Sequence, residues 1–417
     1  MTANTKPTSS LGGLLDRNRI VVALLLFAHV ALLSWSAAVH SPAEDEPSHL
    51  AAGIFTWKFR RFDLYQVNPP LSRLISALPV VLLGSETDWH QFSDATGARS
   101  EFAVGRDFIE ANGRRSMWLI MVARGVSIPF SAFGAFICYL WARELYGQTA
   151  GLFALTLWCF SPDILGNASL ISPDAFGTIF GVAAGYAFWR WSRCPTLISA
   201  ATAGLALGLA ELSKTTWCIL FLLWPTIWLI RLVAQPLRSA TAWRAGAQLF
   251  LSLLVGMDLL NAGYLFSQTG QRLGDFNFVS QSLAGPSGEI VEWGNRFKET
   301  KLARFPVPVP KDYLIGIDLQ KRDLENAGKK PSYLAEQLQT TGWWYYYLVG
   351  LGVKTPLAFL SLLVLTFAVR VLRGPHGWLD EITVIAPPVV VLAFVSSQSA
   401  VNNHYRYILP SLPFLFV

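Results

Sequence analysis

Long apolar runs alternate with short charged segments along almost the whole chain. Nine runs stand out: Ile20–Val39, Met117–Ala142, Leu152–Phe160, Ala175–Trp189, Leu197–Ala210, Thr215–Ile230, Ala245–Phe266, Trp343–Val369 and Ile382–Ser397. A bilayer core about 30 Å thick needs roughly 20 apolar residues in a helix, and the shorter runs extend through Ser, Thr and Gly at their ends. A further run starts near Tyr407 and stops at Val417. At about 1.5 Å per residue it rises too little to cross, so the chain reads as truncated there. Ile20–Val39 is longer than the roughly 7–15-residue core of a signal peptide and reads as a retained first helix. The pattern predicts an all-α polytopic membrane protein, a single bundle over 1–417 of nine to ten transmembrane helices.

Two long polar excursions, 41–116 and 267–342, interrupt the runs. In the first, Leu71–Leu83 is apolar but too short to span, which suits an interfacial helix. Pro47 favours a helix first turn, so Ser48–Phe59 is predicted as a short helix along the membrane face, with Leu50, Ile54 and Trp57 on one side. The second carries Phe305-Pro-Val-Pro-Val-Pro310 and a predicted short helix at Ile317–Ala327.

Composition narrows the class. Of 417 residues, 53% are hydrophobic and only 14% charged, where a soluble domain carries about 25% charge. Disorder is excluded by the apolar content. Cys138, Cys159, Cys194 and Cys218 lie in or beside apolar runs without CxxC spacing, which excludes a disulfide scaffold. With the N-terminus cytoplasmic, the short inner segments hold eleven Lys/Arg against four Asp/Glu, while the two excursions together hold 18 against 19. This is the positive-inside pattern. It places 41–116 and 267–342 at the periplasm or exterior of a cell inner (plasma) membrane. The positive net charge thus reflects topology, and no Lys/Arg stripe with interleaved aromatics points to nucleic acid.

Candidate chemistry sits where polar groups are costly. Asp45 and Glu46 lie just outside the first helix, where a carboxylate suits a general base. By themselves they also fit a solvated acidic loop. Asp174 follows Pro173, Lys214 follows Glu211, Lys354 lies within Trp343–Val369, and His404 and Arg406 flank the last outer turn. Ionisable residues at such depths usually serve function. They put several cations on the side of Asp45, which suits an anionic head group. Arg124 and Asp258 sit deeper and read as structural.

The order of these residues resembles a known group. It runs from Asp45-Glu46 through Pro69-Pro70-Leu71 and Ala142-Arg-Glu-Leu-Tyr-Gly147 to Asp174. It continues with Gly204-Leu-Ala-Leu-Gly-Leu-Ala-Glu-Leu-Ser-Lys214 and Tyr405-Arg-Tyr-Ile-Leu-Pro410. This resembles the GT-C membrane glycosyltransferases of the dolichyl-phosphate-mannose protein mannosyltransferase type. It is also similar to the bacterial aminoarabinose transferases that modify lipid A and to the Rgt-type sugar transferases. Relatives of the bacterial branch often read Glu-His-Pro-Pro-Leu, where this chain has Val67-Asn68-Pro69-Pro70-Leu71, so a histidine role there is not carried over. No MIR-like β-trefoil insertion is visible in 267–342, which favours the bacterial branch, and against the family pattern the chain reads as missing its terminal helices after Val417.

The resemblance implies a polyprenyl-phosphate-linked sugar donor and an acceptor hydroxyl on a protein, lipid or glycan at the outer face. It implies inversion in a single displacement. Asp45, with Glu46, is the implied catalytic group. Arg73, Lys214 and Arg406 would stabilise the lipid phosphate leaving group. His49, Asn68, Asp174 and His404 would support the site or orient the acceptor. No cofactor is certain. A divalent metal stays open, since Asp45 and His49 could lie near Asp174, yet no HExxH motif or Cys/His cluster appears. The competing class is a lipid or sugar transporter or flippase. The inverted repeats common in transporters are not visible here.

Overall fold

The computed structural model describes residues 10–236, 238–285, 293–326, 331–373, 377–398 and 405–417. Among them the chain forms α1 (Ser10–Val39), α2 (Glu46–Phe59), α3 (Leu71–Leu83), α4 (Glu101–Asn112), α5 (Arg115–Tyr146) and α6 (Gln148–Phe160). Next come α7 (Pro162–Asn167), α8 (Pro173–Arg193), α9 (Leu197–Ser213), α10 (Leu220–Ala234), α11 (Ser239–Gly263), α12 (Gln281–Ala284) and α13 (Lys311–Asn326). The small antiparallel pair β1 (Ser332–Leu334) and β2 (Gln337–Gln339) precedes α14 (Tyr346–Lys354), α15 (Leu357–Arg373), α16 (Trp378–Ser397) and α17 (Leu412–Phe416).

Each of the nine apolar runs lies mostly on helix. Among the described residues five helices have the length and hydropathy to cross a bilayer alone, or six if α14 and α15 count as one bent span. α6 and α9 are shorter apolar helices. α8 is buried on nearly all sides, as expected for a helix at the centre of a bundle. The chain is therefore a multi-pass membrane protein.

Trp343–Val369 was expected as one helix and is not. It breaks between Lys354 and Leu357, and the two halves bend by 114°. Pro356 has no N–H to continue the ladder and pushes the residue before it out of the helical region. Thr355 accordingly takes φ −86°, ψ 137°. Lys354 thus ends a short helix, with its ammonium 5.2 Å from the Tyr405 ring centroid, rather than lying inside a span.

The first excursion folds as a cap. α2 is not one-sided: Leu50 and Ile54 are buried with most of the helix, while Trp57 is exposed. The reason is that α3 and α4 pack on different sides of it. α3 turns Ser72, Arg73 and Ser76 inward and leaves Leu78, Leu82 and Leu83 exposed.

Candidate active site

The loop after α1 is set by a buried ion pair. Arg124 on α5 donates from Nε to Glu46 Oε1 at 2.8 Å and from Nη2 to Oε2 at 2.5 Å. Its remaining N–H groups reach the carbonyls of Ala37, His40 and Ser41. Glu46 also accepts from the backbone N–H of Ala43 and Ile171. Every oxygen of Glu46 is therefore engaged, and the residue is 1% exposed. Glu46, expected with Asp45 in the chemistry, faces away from the cavity and holds the turn in place. Arg124 is structural, as expected, with Glu46 as its partner. Asp258 is exposed on α11.

Asp45 takes the N-cap position of α2, but its side chain makes no capping hydrogen bond. Instead Arg406 Nη2 donates to Asp45 Oδ2 at 2.6 Å. Arg406 Nε lies 3.5 Å from Asp174 Oδ2, and Asp174 is ion-paired with Lys214. The local sequence explains how these groups arrive. Ser172 caps α8 by accepting from the Asp174 N–H, and Pro173 starts the helix. Lys214 follows the last turn of α9 in extended conformation, and its stem rests where a Cβ on Gly177 would stand 2.9 Å away.

These four groups line one cavity of about 630 Å³ together with His49, Asn68 and Arg99. Tyr347, Phe394 and Val395 give it an apolar wall, and Gln320 and Asp323 of α13 close another side. His49 stacks on Tyr65, ring centroids 4.6 Å apart. Burial first, and then the Arg73 charge, lower its pKa to about 3, so it is a neutral ring at ordinary pH.

Asp45, His49, Asn68, Asp174, Lys214 and Arg406 are thus brought together. Arg73 is not among the lining residues. It is buried behind Tyr65, its guanidinium carbon 5.4 Å from that ring, and its Nε and Nη1 have no hydrogen-bond partner among the described residues. His404 lies outside the described residues. Sequence reasoning missed Arg99, which donates from Nε to Glu101 at 2.5 Å and pairs with Asp323. It sits in a polar stretch indistinguishable from solvated loop. Among the described residues no three His, Cys, Asp or Glu side chains lie close enough to share a metal ion.

The fold has solved counterparts. A crystal structure of ArnT from Cupriavidus metallidurans bound to undecaprenyl phosphate superposes with a TM-score of 0.53 at 13% identity, covering 98% of this chain and 59% of that one. The apo state of the same protein gives the same figures. The Archaeoglobus fulgidus oligosaccharyltransferase in its apo form gives 0.51 at 12% identity, covering 95% of this chain and 50% of that one. No protein family model matches the sequence, and no curated protein does. The chain therefore shares the GT-C fold of these structures. It spans about three-fifths of the length of the ArnT chain it resembles.

Proposed function

We propose that the protein is a membrane glycosyltransferase that moves a sugar from a polyprenyl-phosphate donor to an acceptor hydroxyl at the outer membrane face. The observation that carries this reading is the single cavity in which Asp45, Arg406, Asp174 and Lys214 meet beside an apolar wall, within a GT-C fold. A phosphate on a lipid tail needs both features: cations for its charge and apolar surface for its chain. ArnT, similar in fold, was crystallised with undecaprenyl phosphate.

Asp45 and Asp174 balance Lys214 and Arg406 in charge, so an incoming phosphate competes with the carboxylates for the cations. When Arg406 turns to the phosphate, Asp45 loses its partner and is free to accept a proton. It takes that proton from the acceptor as the oxygen attacks the anomeric carbon from the face opposite the leaving phosphate, which inverts the centre. The bond from anomeric carbon to phosphate oxygen breaks. Lys214 and Arg406, already oriented, hold the charge that develops there. Asp174 positions both cations, and neutral His49 packs beside Asp45. Asn68, at the cavity wall, is assigned to the acceptor. Arg73, buried behind Tyr65 and outside the cavity, takes no part in holding the phosphate.

Asp45→Asn tests the base. Sugar transfer from a labelled polyprenyl-phosphate donor should fall about 10²–10⁴-fold, while donor binding and melting temperature stay near wild type. Near-normal transfer would remove Asp45 from the chemistry. Lys214→Met or Arg406→Met should instead weaken donor affinity by roughly 1–3 kcal/mol, the scale of a lost hydrogen bond to a charged group. Unchanged donor affinity in both would end the phosphate assignment.

A further inference from the structure

A second and larger cavity, of about 930 Å³, lies at the other end of the bundle. Two helices connect it to the active cavity. α8 begins at Pro173 and Asp174 beside the active cavity and ends at Ser192 and Arg193 beside the second. α16 runs the other way, from Trp378–Asp380 to Phe394 and Val395. The 21 residues of α8 rise about 30 Å, the thickness of a bilayer core. With one cavity at one membrane face, the other lies at head-group depth on the opposite face.

Its lining is unbalanced in charge. Arg193, Arg231 and Arg244 share it with one carboxylate, Asp380. Asp380 already accepts from Arg193 at 2.7 Å, from Trp189 at 3.2 Å and from Arg231 at 3.4 Å. Arg231 spends a further N–H on the Leu379 carbonyl at 2.6 Å. Arg244 is exposed and makes no ion pair with any described residue.

The surroundings are apolar in the manner of a lipid-facing surface. On α10 and α11, Val233 is 81% and Trp243 79% exposed. An exposed tryptophan beside a basic cavity is what a helix bundle presents at the membrane interface. A free anion in water would have no use for that belt, whereas acyl chains would lie against it.

We propose that this cavity holds the head group of an anionic phospholipid, with Arg244 on its phosphate and Arg193 and Arg231 alongside. Basic pockets between membrane helices on the cytoplasmic side bind such head groups. This inference rests on the membrane reading of the fold and is independent of the sugar-transfer reaction.

Native mass spectrometry of the detergent-purified chain tests it, with phosphatidylglycerol, phosphatidylethanolamine and inorganic phosphate as probes. Phosphatidylglycerol should bind roughly ten-fold more tightly than phosphatidylethanolamine, and excess inorganic phosphate should not displace it. Arg244→Gln should weaken phosphatidylglycerol binding about ten-fold and Arg244→Lys much less. Arg238→Gln removes the same charge from an exposed position outside the cavity and should change nothing. Equal binding of the two lipids, undiminished binding by Arg244→Gln, or an equal loss in Arg238→Gln would overturn the proposal. So would displacement by inorganic phosphate, which would make this a free-anion site.

Discussion

Asp45 and Glu46 are adjacent, yet they do different work. One step along a helix turns a side chain by about 100°, so Asp45 faces the cavity and Glu46 faces Arg124. Glu46→Gln would leave the Arg124 guanidinium buried without a countercharge, and removing one partner of a buried pair costs about 3–5 kcal/mol. We expect a marked drop in melting temperature in detergent, partly restored by adding Arg124→Gln. A wild-type melting curve for Glu46→Gln would refute the structural role. His49 gives a pH dependence of known sign. Its folded pKa is lowered from 6.5 to about 3, so between those values the unfolded chain binds the extra proton. Its contribution is full above pH 6.5 and declines as pH falls towards 3, by up to about 1.4 kcal/mol per unit. His49→Asn should flatten that decline between pH 7 and 4.5, and equal slopes for both proteins would count against a buried neutral ring.

At the scale of elements, the decisive contact is α9 against α11. Gly204 and Gly208 are spaced as in a GxxxG motif, which lets membrane helices approach closely. A Cβ on Gly204 would stand 2.5 Å from the Ser252 carbonyl oxygen, and one on Gly208 2.7 Å from Leu259 Cβ. The same helix ends at Lys214, so its packing sets where the ammonium meets Asp174. Gly208→Leu should therefore lower stability by about 1–3 kcal/mol through overpacking and reduce sugar transfer as well. Gly166→Ala, with open space around it, is the control. A Gly208→Leu protein as stable and active as that control would sink the packing argument.

At the scale of the molecule, the two excursions lean on each other over the cavity. Gln66 donates to Asp312 at 2.7 Å and Arg322 to the Gly97 carbonyl at 2.9 Å, and Arg99 pairs with Asp323. Tyr313 ties α13 down by donating to Glu211 at 2.7 Å. Both excursions therefore share one membrane face, and the proposal puts it outside the cell. In a cysteine-free background, an impermeant maleimide should label Ala95→Cys and Lys301→Cys in intact cells. Thr241→Cys should react only after permeabilisation. The reverse order would refute an outward-facing site.

Hydropathy is local, and so the sequence alone determined the helical runs, the short apolar α3, the short helices at α2 and α13 and the two excursions. It also named most of the ionisable residues that meet in the cavity. The break at Pro356 was written in the sequence too, but an otherwise unbroken apolar run masked it. What tertiary structure alone decided is which charge meets which. Asp45 and Arg406 are 361 residues apart, and neither carries a local signal for the other. Arg99 enters the cavity, Arg73 retreats behind Tyr65, and Glu46 turns to Arg124 for the same reason. The partner of a charged side chain depends on how helices rotate and pack, and that is fixed by contacts between segments far apart in the chain.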